Sequence, residues 1–214
     1  GCTGNGNVFR LSHPDVFSQV RLGGGVTGAV THSFWSEFFN RAPFDVVRDI
    51  EYDEPGGPIT HGRFHTMHRD SSYNQMTPAD YDLFGTLTRL CEVKSIDYGI
   101  LHSCTLDSLG HRFYHDCEEM DDACYRMDGT LAPFIHRWRQ NGYEVIVTAD
   151  HGMGDDGNHA GPTPEETEVP FYTVGFRLDR DAPIKQTEIA GIICRLMEID
   201  PGQMPAFSGT VDPI

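Results

Sequence analysis

The order of elements read along the chain predicts an α/β fold: a mostly parallel central sheet with helices on both faces. Three observations carry that expectation. Short apolar runs of strand length at 26–31, 96–101, 145–147 and 169–174 alternate with longer segments whose apolar residues step by three and four. A length of 214 residues suits one α/β domain, taken here as 1–214, with enough apolar surface for a core. Side chains of metal-binding type gather just past two of the apolar runs, where parallel sheets hold their ligands.

Taken in order, residues 1–13 are rich in Gly and Asn and read as a loop. Pro14 to Val20 reads as a short helix, with Asp15 in its first turn and Val16, Phe17 and Val20 on its apolar face. Gly23 to Gly25 break it, and Val26 to Thr31 follows as a strand of small residues. Phe34, Trp35, Phe38 and Phe39 form an aromatic helix face. Arg41 to Arg69 is polar and rich in Pro and Gly, so it reads as a surface excursion whose His61, His65 and His68 are solvated loop side chains. Thr77-Pro78 has the chemistry of a helix start: a Thr cap, Pro at the first helical position and Asp80 in the first turn. Ile96 to Leu101 is a strand running into H-S-C-T-L-D-S-L-G-H. One long helix is expected next, with Tyr114, Cys117, Met120, Cys124, Met127, Leu131, Ile135 and Trp138 on one face and a bend at Gly129 and Pro133. Asn141-Gly142 ends it, the strand Val145–Val147 enters a Gly-rich loop, and Thr187 is expected to cap a final helix.

Composition narrows the function classes. The chain carries 32 acidic against 16 basic residues, a formal charge of −16, with no basic stripe, so nucleic-acid backbones and anionic lipid are poor partners. No run of 18 apolar residues occurs, so no membrane span is expected, and no basic and apolar leader is visible in the first residues. Six cysteines without a C-x-x-C pair read as reduced, buried small hydrophobes, which suits a cytoplasmic setting.

The chemistry concentrates in T-A-D-H-G-M-G-D-D-G-N-H-A, Thr148 to Ala160. Asp150, His151 and His159 stand there within ten residues, and Gly152, Gly154 and Gly157 allow the tight path that folds His159 back towards Asp150. A carboxylate with two imidazoles is a donor set for a divalent metal such as zinc. Asp107-Ser-Leu-Gly-His111 adds a second Asp/His pair beyond the other strand, its glycine permitting a turn. Each motif alone is weak, since a loop Asp is often only a cap. Two such pairs at neighbouring strand ends, with His159 besides, are what make the set specific. His115 reads as exposed or outside the ligand set, Asp155 and Asp156 as shaping the turn, and Glu165, Glu166 and Glu168 as a solvated run.

Together D-S-L-G-H, A-D-H-G-M, G-N-H-A-G and E-V-P-F resemble the alkaline phosphatase superfamily, and within it the nucleotide pyrophosphatase/phosphodiesterase branch. The resemblance runs over nearly the whole chain, from just after the family's nucleophile to a closing helix at Gln186-Thr-Glu-Ile-Ala. It implies an alkaline phosphatase-like domain lacking its N-terminal part, and two divalent metals, zinc foremost and manganese as the alternative. One metal would be held by Asp107, His111 and His159; the other by Asp150 and His151 with an upstream Asp and a Thr or Ser nucleophile. The family's phosphate-binding Asn falls at Asn5. Ala160 stands where the family often has Gly, and the interval from His151 to His159 is short. The implied activity is hydrolysis of phosphodiester or pyrophosphate bonds in a small phosphate ester or nucleotide. A phosphomutase-type chemistry and a non-catalytic, truncated metal-binding remnant are the alternatives. Deletion of the segment bearing the upstream Asp is expected to remove a central strand and expose a sheet edge.

Overall fold

The structure, a computed structural model, describes residues 9–66, 78–179 and 183–214. The chain divides into two compact units: 1–76, 85–102 and 179–211 form one, and 77–84, 103–178 and 212–214 the other.

The first unit is built on a four-stranded sheet of order β2-β3-β1-β4, made of β1 (Thr27–His32), β2 (Glu51–Asp53), β3 (His61–His65) and β4 (Tyr98–Leu101). β1 runs parallel to both β3 and β4, and only β2 is antiparallel, so the sheet is mostly parallel as expected. All six residues of β1 are buried. Small residues suit that central position: a Cβ on Gly28 would lie 2.7 Å from the Ile96 side chain. Helix α1 (Val16–Leu22) starts one residue after Asp15, whose carboxylate accepts the Ser18 N–H at 2.8 Å and satisfies one of the free donors at the helix start. Its inner face puts Phe17 into a core with Ala29, Tyr52, Ile59 and Phe64. Each large apolar side chain so buried contributes about 1.5–3 kcal/mol. Helix α2 (Ser33–Phe39) packs Trp35 and Phe39 against the same cluster.

The described part of the expected surface excursion, 41–66, is ordered into regular elements and part of it is buried. It supplies the short helix α3 (Val46–Asp49), β2 and β3, and β3 lies inside the sheet in register with β1, Ala29 opposite Gly62. The sequence H-G-R-F-H offers only Phe64 as a large apolar residue, too little for a periodicity signal, although Gly62 and Phe64 are both buried.

Helix α4 (Asp80–Arg89) continues into a π-helical turn at Leu90–Lys94, closed by Ser95 in the left-handed region at φ 50°. Leu83, Phe84, Leu87 and Leu90 are its buried side chains, whereas Tyr81 is 65% exposed. Pro78 precedes the helix; Thr77 lies outside the described residues, as do Asn5 and His68.

In the second unit the expected long helix is two. Helix α5 (Thr105–Phe113) ends at Tyr114, and α6 (Glu118–Gln140) begins after Cys117 and accommodates Pro133. Phe84 and Phe134 pack at 5.6 Å, and Phe84 and Trp138 edge to face at 6.4 Å. Strand β5 (Val145–Thr148) does not extend the parallel sheet. It pairs antiparallel with β6 (Phe171–Val174) in a two-stranded sheet, with Val145 opposite Val174. Apolar runs give strand character but not strand direction, which is why sequence periodicity assigned β5 to the parallel set. Helix α7 (Pro164–Thr167) lies between them, and β7 (Phe176–Asp179) pairs with β8 (Thr210–Pro213).

Helix α8 (Ile189–Leu196) is preceded by a 3₁₀ turn at Gln186–Glu188, and Lys185 rather than Thr187 takes the cap position there. Among the cysteines, Cys91, Cys104 and Cys194 are buried as expected, but Cys124 is exposed.

Candidate metal centre

The D-S-L-G-H motif is helical, not a loop with a glycine turn. Asp107 occupies the first turn of α5 and His111 the last, four positions on, so both side chains rise from one face. A carboxylate near the helix N-terminus and an imidazole near its C-terminus both suit the helix dipole. Gly110 packs closely against Met153: a Cβ there would meet the terminal methyl of that side chain at 2.7 Å, so the methionine would have to move.

The Gly-rich loop after β5 delivers the remaining side chains. Its ends are clamped by backbone bonds that the sequence did not announce. The Gly152 N–H donates to Glu166 O and the Met153 N–H to Glu165 O, each at 2.9 Å, while the Gly154 N–H donates to Asn158 O at 2.7 Å. A side chain at Gly152 is impossible, since its Cβ would sit 2.0 Å from Glu165 O. Glu166 is not a solvated residue: its carboxylate accepts the Gly161 N–H at 2.8 Å and the Thr163 hydroxyl at 2.9 Å. These bonds hold its carboxyl below the usual range. The signal was T-P-E-E, a capping box at the start of α7. Asp156 shapes the turn as expected, accepting the Asn158 N–H at 3.0 Å. Ala160 sits at φ 80°, a conformation in which a non-glycine residue costs roughly 1–2 kcal/mol.

The loop and α5 together bring five side chains into one cluster. One ligand atom from each of Asp107, His111 and His159 lies within 4.8 Å of the other two. Asp107 Oδ1 is 3.4 Å from His111 Nε2, 3.6 Å from His159 Nε2 and 3.8 Å from His151 Nε2. His151 Nε2 also lies 3.7 Å from Asp150 Oδ2, and the His151 and His159 rings stack with centroids 3.7 Å apart. Donor atoms on a tetrahedron around zinc are about 3.3–3.6 Å apart.

Two further observations bear on whether these residues fit a metal. Asp107 Oδ1 is buried and has no hydrogen-bond partner, which is costly for an ionised oxygen unless a cation meets it. Two of the imidazoles are also oriented by backbone carbonyls. His111 Nδ1–H donates to Gly157 O at 2.7 Å and His151 Nδ1–H to Gly152 O at 2.8 Å, leaving each Nε2 turned to the carboxylates. Burial, with the neighbouring His151 and His111 rings, holds the pKa of His159 below its ordinary value against the pull of Asp107 and Asp150. A neutral imidazole is the form that binds metal.

Other candidates do not join the set. His115 Nε2 pairs with Asp155 at 3.4 Å, His61 Nδ1 pairs with Asp53 at 2.6 Å, and His65 ends β3. The Cys104 thiol is pushed up to about 12 by burial and by Asp107, Asp150 and Asp80. It is therefore protonated at neutral pH and is no thiolate nucleophile.

Two comparisons with known proteins bear on this cluster. A sequence model described as type I phosphodiesterase / nucleotide pyrophosphatase matches residues 25–161, a span that includes all five side chains. GPI ethanolamine phosphate transferase 1 of Mus musculus is 31% identical over 93 residues, covering 41% of this chain. The chain spans only 10% of that relative's length.

Proposed function

This chain belongs to the type I phosphodiesterase / nucleotide pyrophosphatase family, and we propose that it bears most of the ligand set of a two-metal phosphoric ester hydrolase. The observation that supports this best is the buried, unbonded Asp107 Oδ1 facing three imidazole Nε2 atoms at 3.4–3.8 Å. Asp107, His111 and His159 would hold one divalent metal, and Asp150 with His151 would hold part of a second. Imidazole with carboxylate suits zinc first and manganese second. Such a pair supplies Lewis-acid stabilisation of the charge on a transferring phosphoryl group.

The chain's own residues prepare the centre for that chemistry. The Gly157 and Gly152 carbonyls orient two imidazoles before anything binds, so little reorganisation accompanies binding. Asp107 supplies the negative charge that a cation neutralises. The nucleophile, a Thr or Ser, and one further Asp ligand are assigned to sequence upstream of Gly1. Asn5 is assigned to hydrogen-bond a non-bridging phosphoryl oxygen from its amide N–H. The substrate class is a small phosphodiester, pyrophosphate or nucleotide.

A second reading is favoured by one comparison. The mouse relative is by name a phosphate transferase, so an alcohol in place of water as acceptor would make this chain part of a phosphoryl-ester transferase. The test is a protein carrying this chain and its upstream coding sequence, loaded with zinc and given an aryl phosphodiester and an aryl phosphomonoester. Faster release of the aryl alcohol from the diester, with water as acceptor and a phosphomonoester left as the other product, supports the hydrolase. Product formed only when an alcohol acceptor is added supports the transferase. A protein that binds zinc yet turns over neither substrate, with or without acceptor, removes the enzymatic reading.

A further inference from the structure

Tyr114 stands where the backbone wants glycine. It closes α5 at φ 69° and ψ −178°, a region almost closed to side-chain-bearing residues. Its own N–H is used normally, donating to Gly110 O at 2.9 Å, so the unusual turn is fixed rather than frayed. The ring is half exposed and gains little from burial. What it touches is Gly157, at φ 71°: a Cβ built there would lie 3.0 Å from Tyr114 Cδ1 and 3.3 Å from both Gly110 O and His111 O. The Gly157 carbonyl is the acceptor that holds His111 Nδ1–H at 2.7 Å. The chain of contact is therefore ring to Gly157, carbonyl to imidazole, imidazole Nε2 to Asp107.

We infer that Tyr114 is a positioning residue: its ring braces the Gly157 turn so that the carbonyl keeps His111 in the ligating tautomer, and with it the turn that carries His159. A glycine at 114 would relieve the backbone but leave the turn unbraced, so strain and function are opposed at this position. Outer partners of ligating imidazoles typically govern metal affinity by 10–100-fold. The inference rests on Asp107, His111 and His159 being metal ligands for its affinity readout, but not for its tautomer readout.

The test compares the wild-type chain with Tyr114→Phe and Tyr114→Gly in three measurements: imidazole ¹⁵N resonances of His111 without metal, zinc affinity by chelator competition, and Tm. Tyr114→Phe keeps the ring and is expected to match wild type, with a single Nδ1–H tautomer and affinity within about twofold. Tyr114→Gly is expected to hold or raise Tm while His111 becomes a tautomer mixture and zinc affinity falls about tenfold. A Gly variant with one tautomer and wild-type affinity overturns the inference. So does a loss of affinity shared by Tyr114→Phe, which would assign the effect to the hydroxyl and not to the ring, or one accompanied by a lower Tm, which marks a merely structural role. If the wild-type chain takes up no zinc, the metal reading of the centre falls, while the His111 resonances still decide the role of Tyr114.

Discussion

Asp53 and Asp107 both stand among basic side chains, and they differ in what those side chains do. Asp53 accepts from His61 at 2.6 Å, from Arg63 at 3.0 Å and from Lys94 at 3.2 Å. Burial alone would raise its pKa, but these three donors hold the carboxyl well below the usual carboxylate range. That cluster is complete as it stands. Asp107 also has three cationic-type neighbours, yet all its imidazole contacts are 3.4 Å or longer, and its Oδ1 has no hydrogen bond. Two of the three rings, His111 and His151, spend their Nδ1–H on backbone carbonyls and present Nε2 to it. A satisfied carboxylate supports the fold, while one whose buried oxygen lacks a hydrogen bond among imidazole Nε2 atoms suits a cation.

The difference can be broken by mutation, and the largest effect is expected at the incomplete cluster. Asp107→Ala or His159→Ala should lower zinc affinity by more than about 100-fold, beyond the loss typical of outer partners. Metal analysis after dialysis would show one equivalent fewer, and unchanged stoichiometry would sink the ligand assignment. The stability consequences should run the other way. Asp53→Ala should cost about 1–2 kcal/mol, its charged hydrogen bonds being discounted because the side chain is 39% exposed. Metal-free Asp107→Asn should cost nothing or stabilise, since it removes an uncompensated charge. Urea titrations of the two variants give both numbers, and equal costs would erase the distinction.

Acid should separate the clusters as well. The folded pKa of His159 lies below its unfolded value of about 6.5, so the native state resists protonation there. Its contribution to stability is present above about pH 6.5 and is lost as pH falls through the depressed folded value. Asp53, also depressed, contributes above its unfolded pKa of about 3.9 and fails only in stronger acid. A metal-free chain should therefore weaken first as pH falls below about 6.5, and His159→Gln should flatten that segment. A titration whose upper limb is unchanged in the variant would contradict this. The smallest effect concerns the loop backbone alone: Ala160→Gly should raise stability by about 1 kcal/mol by relieving the positive φ, read as a higher Tm.

The clustering of candidate metal-binding side chains was legible in the sequence because their residue types are rare together and their glycines mark a forced backbone path. Asp107, His111, Asp150, His151 and His159 come together as those types suggest, whereas Asn5 lies outside the described residues. The supporting shell was harder to read. Glu166 looked like one more acid in an acidic run, since a capping box differs from solvated Glu only by the Thr three positions earlier. Tyr114 continued an apolar helical period, and nothing in that period shows that the backbone turns at it. In the fold, β3 hid behind a polar pattern because its burial depends on Gly62 and Phe64 alone, and β5 concealed its direction because an apolar strand reads the same either way. Side-chain chemistry is written locally, while strand pairing is settled by contacts far along the chain.

The clamp on the Gly-rich loop carries a further consequence, for how such a chain can change over time. Gly152 and Met153 are tied to Glu165 and Glu166, and Gly154 to Asn158, so the ends of the loop that carry His151 and His159 are secured independently of its tip. The tip itself, Asp155 and Asp156, is exposed. Residues added there would enter solvent without pulling on His151 or His159. The turn is thus a docking point for new mass, where a cap or a specificity segment can be grown or pruned while the ligand geometry stays as it is.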